Sequence, residues 1–401
     1  MGRLVDQKDG LGIYGQYLLR EMLKADPETL YVILLDTPKC KDLFREFSNA
    51  QTVVIPARSK LYWDQVCVPR AARKFHADLI LNPKFSLPLF TRKPCVFVHQ
   101  GSDWYVNPQN YPWWDNIYIR LMLPVYSWKA ARTLSISQTT LDDLSHYTHI
   151  DVRNSVVSYA GVGANFTPER DARALEEFRA EYRLPERFIL TVARVLHGGQ
   201  KHLRPYPGGN NERLVRAYRL YRAAGGNLPL VVAGNYVQDY LRAHGFSDED
   251  LRDVMFLGFV PNQRLHLAYQ LAECFVLATL CESFGIPIVE AFACGCPAIV
   301  PNTCSAPEIA GGAAFLIDPR DEADIARALA EVTSSEQLRR RLRELGIQRA
   351  QTLTWKETAR RTLAVLNEIV PLDTSDTSAS ARARNPESYV GHLRSRHTKY
   401  R

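Results

Sequence analysis

Residues 275–318, FVLATLCESFGIPIVEAFACGCPAIVPNTCSAPEIAGGAAFLID, restrict the possible fold more than any other stretch. Phe275 to Ala278 is a short apolar run that reads as a buried strand. Thr279 to Ser283 is polar and short, hence a loop. Pro287 stands where a first helical turn tolerates proline, and Gly295 where a helix needs a left-handed stop. Between them Ile288 to Cys294 gives a helix of about two turns. Pro297 to Val300 is a second apolar run. Strand, loop, helix, strand is one parallel unit of an α/β sheet.

Two carboxylates occupy different places in that unit. Glu282 lies in the loop at the carboxyl end of the first strand, where open α/β sheets bind ligands. Glu290 lies about a turn inside the helix. The backbone N–H groups of Phe284, Gly285 and Ile286 precede that helix, and with its dipole they favour an anion such as a diphosphate. Glu290 can accept from a pair of sugar hydroxyls. For an isolated pair the simpler reading is a solvated Glu282 and a Glu290 that complements the dipole.

The whole string is more specific. ESFGIPIVEAFACGCPAIV, followed by Pro307-Glu308, resembles the Glu-x7-Glu signature of family 4 retaining glycosyltransferases of the GT-B fold. That resemblance implies two Rossmann-like doubly wound α/β domains facing across a cleft. The expected divisions are 1–165 for an acceptor-side domain and 166–354 for a nucleotide-sugar domain. A helix at 355–370 packs back on the first domain, and 371–401 is a disordered basic tail.

Four hundred and one residues suit two such domains. No apolar run approaches the ~20 residues of a membrane span, and the polar opening MGRLVDQKDG does not read as a signal peptide. Eight scattered cysteines without a Cys-x-x-Cys pair argue against a disulfide framework or a zinc site. The expected location is the cytoplasm, with peripheral contact at the inner face of an anionic membrane left open. The net charge is +7, and the tail holds six Lys/Arg against three Asp/Glu. It can touch anionic lipid or nucleic acid by charge alone, and no specific nucleic-acid partner is expected.

In DGLGIYGQYLLREML, Gly10, Gly12 and Gly15 precede and enter an amphipathic helix running to about Leu23. A glycine-rich turn at a helix start admits a ligand close to the backbone. The family resemblance places Gly10 and Gly12 at the donor phosphates. The family also has an apolar strand before this loop, whereas Met1 to Asp6 is short and polar. The expectation is that the sequence begins late, by roughly eight residues of strand at ~3.3 Å each.

Lys93 to His99 reads as a strand ending at His99. Unaided, His99 is a satisfied histidine at a sheet edge; the resemblance makes it a contact to the donor sugar, with Gln100 where the family often has Asp. The following aromatics, Trp104, Tyr105, Tyr111, Trp113, Trp114 and Tyr118, suit core packing, an acceptor sugar or a membrane interface.

FILTVARV reads as a strand ending near Arg194. The resemblance gives Arg194 and a lysine the donor diphosphate; Lys201 is the candidate lysine, although Asn210-Asn211 stands where Lys-Asn is usual. Val260, in the stretch Gly258 to Pro261, would lie near the base. Asp248-Glu249-Asp250 reads as a helix start after Ser247 and not as a metal triplet. No metal and no cofactor beyond the co-substrate are expected.

The implied function is transfer of a hexose, mannose or glucose, from GDP-mannose or UDP-glucose to a glycan, lipid-linked or small-molecule acceptor with retention. His99, Glu282, Arg194 and Lys201 form the catalytic set. The alternatives are an epimerase or phosphorylase on the same fold, or a degenerate protein that binds nucleotide-sugar or a partner without turnover.

Overall fold

A computed structural model describes residues 10–57, 59–197, 203–205 and 208–370. The opening residues 1–9, read as too short and polar for a strand, the candidate Lys201 and the tail 371–401 lie outside the described residues. The amino-terminal half holds β1 (Tyr31–Leu35) and β2 (Ala50–Val54) in one parallel pair. Beside them β3 (Ile80–Asn82), β4 (Cys95–His99), β5 (Arg132–Ser135) and β6 (Ser155–Val157) form a parallel sheet in that order. All five residues of β4 are buried, as a continuous apolar strand covered on both faces should be.

The carboxy-terminal half begins with β7 (Ile189–Val192) and an antiparallel hairpin of β8 (Val195–His197) and β9 (Leu203–Pro205). Its main sheet adds β10 (Leu230–Ala233), β11 (Val254–Gly258), β12 (Cys274–Val276), β13 (Ala298–Pro301) and β14 (Phe315–Ile317). The strand order is β11-β10-β7-β12-β13-β14. Numbered within this half, that is 3-2-1-4-5-6, the doubly wound order whose reversal lies between β7 and β12. Ligands of such sheets bind beyond the strand ends at that reversal, so the loops after Val192 and Val276 are the relevant ones.

The helix Trp355–Ile369 crosses back to the amino-terminal half. Trp355 stacks on Tyr17 with ring centroids 5.6 Å apart and meets Tyr14 edge-on at 5.4 Å. Gly161 permits this crossing, because a Cβ there would stand 2.1 Å from the Trp355 backbone nitrogen. Thr358 donates its hydroxyl to the Tyr159 carbonyl at 2.7 Å. One buried apolar cluster therefore runs through both halves, from Tyr14 and Val96 to Phe275 and Val365.

Three local expectations are corrected. The first helix spans Gly10–Ala25, so Gly10 and Gly12 lie in its first turn and not in a preceding turn. Helical glycine costs about 1 kcal/mol against alanine, and burial of Tyr14, Leu18 and Met22 offsets it. Residues 248–252 form a turn rather than a helix. Ser247 Oγ still accepts from the Asp250 N–H at 3.2 Å, and the three acids pair with Arg242, Arg252 and Arg219. Finally, Cys281 and Cys304 form a disulfide. Neighbouring strands β12 and β13 bring cysteines 23 residues apart to a Cα separation of 5.3 Å, a contact that local cysteine spacing cannot reveal.

Candidate active site at the facing strand ends

The loop from Thr279 to Gly285 is fixed from several sides. Gly208 O accepts from the Leu280 N–H at 2.7 Å, and Thr303 Oγ1 donates to the Leu280 carbonyl at 2.9 Å. Ser305 Oγ donates to the Glu282 carbonyl at 2.8 Å. Gly285 has φ +82°, and a Cβ there would meet Ile288 Cδ1 at 2.7 Å, so only glycine turns the chain into the helix Ile286–Ala293. The Glu282 side chain and the first-turn N–H groups of that helix are thus held at the carboxyl end of β12.

The opposing strand ends reach the same loop. Gly101, two residues past β4, lies so close that a Cβ would stand 2.2 Å from Ser283 Oγ. Ser137 Oγ and Thr140 Oγ1, beyond β5, both donate to the Ser283 carbonyl, at 2.9 and 3.3 Å. His99 closes β4 beneath Gly101. It is fully buried, and neither ring nitrogen has a hydrogen-bond partner among the described residues. Burial pushes its pKa down to about 4, so the ring is neutral.

Both carboxylates are driven the other way. Glu282 keeps some solvent contact, yet so much protein surrounds it that desolvation pushes it up to about 7. The Thr279 hydroxyl opposes that shift, and the charge of Asp103, from the other half, adds to it. Glu290 is 5% exposed and is also pushed up to about 7 by burial. The Tyr269 hydroxyl donates to Glu290 Oε2 at 3.1 Å, and it and the Asn262 side chain oppose the rise. Tyr17, on the first helix, feels the Glu290 charge.

Arg194 stands two residues past β7, half-buried, on the other side of the strand reversal. The Ala193 N–H donates to the Ala233 carbonyl at 2.9 Å, and Gly234 packs against Ala193 so tightly that a Cβ would overlap its oxygen. Val260 follows β11, but its side chain is 7% exposed and packed in the core. Any ligand contact there falls to its backbone or to the exposed Phe259 beside it. The side chain of Phe284 is likewise core, which leaves its amide for a ligand.

Several residues at this site carry no motif in the sequence. Asp103 is buried, accepts from Asn107 at 2.6 Å and Tyr111 at 2.8 Å, and faces Glu282. Asn210, where the family resemblance led us to expect lysine, donates to the carbonyls of Ala278 at 2.8 Å and Pro319 at 2.7 Å. It ties the start of the helix Asn211–Ala223 to the end of β12.

Comparison with known proteins bears on the fold and on the carboxy-terminal half. Residues 204–349 match the family model of glycosyl transferases group 1. Serotype-specific mannosyltransferase WbdA of Escherichia coli is 26% identical over 342 residues, which is 83% of this chain and 36% of the relative. The chain thus spans about a third of the length of the curated relatives it matches first. A glycosyltransferase from Rickettsia africae superposes with a TM-score of 0.70 at 15% identity, covering 90% of this chain and 96% of that one. HepE from Anabaena, crystallised with UDP, gives 0.69 at 16% identity with the same coverage. The chain has the GT-B fold of the glycosyltransferases, and residues 204–349 carry the group 1 pattern within it.

Proposed function

We propose that this protein is a retaining, family 4-type glycosyltransferase that moves a hexose from a nucleotide diphosphate sugar to an acceptor hydroxyl. One observation carries the reading. Buried His99 and Glu290 and the partly exposed Glu282, each with a strongly shifted pKa, lie where the strand ends of two Rossmann-like sheets meet, beside a helix start. Core packing alone does not account for a histidine with two unbonded nitrogens and two desolvated carboxyls.

In this reading Glu290 accepts from the ribose hydroxyls, braced by Tyr269 and Asn262. Arg194, Lys201 and the amides of Phe284, Gly285 and Ile286 take up charge on the departing diphosphate. Gly10 and Gly12 line the phosphate approach, and Val260 borders the base. Glu282 and His99 hold hydroxyls of the transferred sugar. The acceptor oxygen bonds to the anomeric carbon on the face from which the diphosphate leaves, and the acceptor proton passes to the leaving phosphate oxygen. The reading requires no cofactor, so turnover should survive a chelator.

Mannose from GDP-mannose is the first candidate donor, supported by the likeness to mannosyltransferases. UDP-glucose is the second, supported by its presence in a structural neighbour. The acceptor in this reading is a glycan, a lipid-linked sugar or a small molecule. A thermal-shift series with GDP, UDP, ADP and their sugars tests the donor; ligand at ~100 times its dissociation constant adds ~2.7 kcal/mol. Release of nucleoside diphosphate with an acceptor present then tests transfer. If no nucleotide shifts the melt, the reading fails; binding without release in the presence of glycan and lipid-linked acceptors marks a non-catalytic binder.

A further inference from the structure

The helix Trp113–Lys129 is rich in apolar residues on two opposite sides, yet only one of them is covered. Ile119, Leu123 and Tyr126 are buried against the amino-terminal sheet. On the opposite side Trp114, Ile117, Tyr118, Leu121, Val125 and Trp128 are 40–84% exposed. Their spacing of 3, 1, 3, 4 and 3 residues places them on one stripe, about 21 Å long at the helical rise. Such a continuous exposed apolar surface marks a docking site.

Chemistry around the stripe selects the occupant. Tryptophan stands at both ends, with Trp113 beside Trp114 at one and Trp128 at the other, while aliphatic side chains fill the middle. Trp and Tyr favour the headgroup level, so an exposed apolar face that carries them together with Leu, Ile and Val suits a helix lying in a lipid interface. Lys129 Nζ donates to the Thr91 carbonyl at 2.9 Å, which brings the 86%-exposed Phe90 and the neighbouring Arg92 and Lys93 to the Trp128 end. Residues 60–132 contain ten Lys/Arg and four Asp/Glu. Of those acids, Asp64 pairs with Lys84 and Asp103 is buried under Asn107 and Tyr111. An apolar stripe with Arg92, Lys93 and Lys129 at one end, on a segment with that excess of cations, complements anionic lipid.

We propose that the stripe docks this chain on an anionic bilayer surface, with the helix Trp113–Lys129 lying in the headgroup plane. The helix connects the end of β4 to the start of the parallel strand β5, so it runs back along the sheet from the strand-end side. Its Trp113 end is therefore the end nearest His99, and docking along the stripe brings the mouth of the site to the lipid headgroups. Presentation of a lipid-linked acceptor there rests on the transferase reading; docking itself does not.

The test is sedimentation of the full chain with phosphatidylglycerol–phosphatidylcholine vesicles and with phosphatidylcholine alone, without donor. Binding should favour the anionic vesicles and weaken with salt. The double variant Leu121→Glu, Trp128→Glu should bind about tenfold more weakly or less, the factor that burying one large apolar side chain is worth. Its melting temperature and nucleotide binding should stay as in the parent, which separates loss of docking from loss of the donor site. Brominated lipids should quench tryptophan fluorescence of the unaltered chain, a readout that needs no variant. No quenching, equal binding by the folded double variant, or a dimer that the double variant dissociates while vesicles sediment no protein would each overturn the proposal.

Discussion

Glu308 closes the start of the Gln138–Thr148 helix from the other half of the molecule: its Oε2 accepts from the Thr139 N–H at 2.8 Å and from the Thr139 hydroxyl at 2.6 Å. Its Oε1 accepts from the Gln138 N–H at 2.6 Å. The first N–H groups of a helix lack intrahelical partners, and a carboxylate satisfies them while complementing the dipole. Arg349 holds the Glu308 segment by donating to the carbonyls of Glu308 and Ile309. Glu308 is therefore a clasp between the two halves.

Glu308→Ala should release that clasp at a cost of about 1–2 kcal/mol, reduced from the buried value because the site is half-exposed. Small-angle scattering should show a larger radius of gyration, and the melting temperature should fall. Identical scattering and melting for variant and parent would mean that the contact does not hold the halves together.

Glu290 should link pH to both stability and donor binding. Its folded pKa is raised to about 7, so its stabilising share is complete below the ordinary carboxylate value of 4.5 and is lost as pH rises through about 7. The size is about 3 kcal/mol. Donor affinity moves oppositely, because the ionised form accepts from hydroxyls. Calorimetry from about pH 6 to about pH 8 should show tightening in the parent and a weaker, flat response in Glu290→Gln. A parallel slope in both proteins would take Glu290 out of the donor site.

Sequence reading reached the unit around Glu282 and Glu290 because its signals are local. The apolar runs give the strands, Pro287 and Gly295 bracket the helix, and observed strand boundaries fall within about two residues of those expected. The contacts that complete the site are not local. Asp103 lies 179 positions from Glu282, Glu308 is 169 from Thr139, and Cys281 meets Cys304 through strand pairing alone. No periodicity encodes such neighbours. The Trp113–Lys129 helix misleads for another reason: an apolar residue reads alike whether it faces core or solvent, and packing decides which.

The Cys281–Cys304 disulfide bridges the loop that carries Glu282 to the segment whose Ser305 holds the Glu282 carbonyl. Closing a loop of this length stabilises by about 3 kcal/mol in the chain-entropy account. Reduction should lower the melting temperature, and Cys281→Ser, Cys304→Ser should do so without reductant. Donor affinity should fall in step, since the loop positions Glu282. Melting that ignores reductant, with both thiols shown free by mass spectrometry, would leave the bridge without a structural role.

His99 combines full burial with two unbonded ring nitrogens, and both properties can be measured. A buried polar group without a partner costs about 1–3 kcal/mol, so replacing it by an apolar side chain of similar size should not destabilise the fold. His99→Leu should melt at or above the parent temperature near neutral pH. Turnover should nevertheless fall, because the proposed contact to the sugar from the amino-terminal half would be lost while that of Glu282 remained. The acid side gives an independent check. The folded pKa is depressed from 6.5 to about 4, so the contribution of the neutral ring is present above about 6.5 and is lost as pH falls through about 4. The parent should therefore lose about 3 kcal/mol more than His99→Leu across that window, in urea unfolding at fixed salt. A large loss of stability in His99→Leu at neutral pH would show that the ring has a structural partner, and the proposed sugar contact would then lose its physical basis.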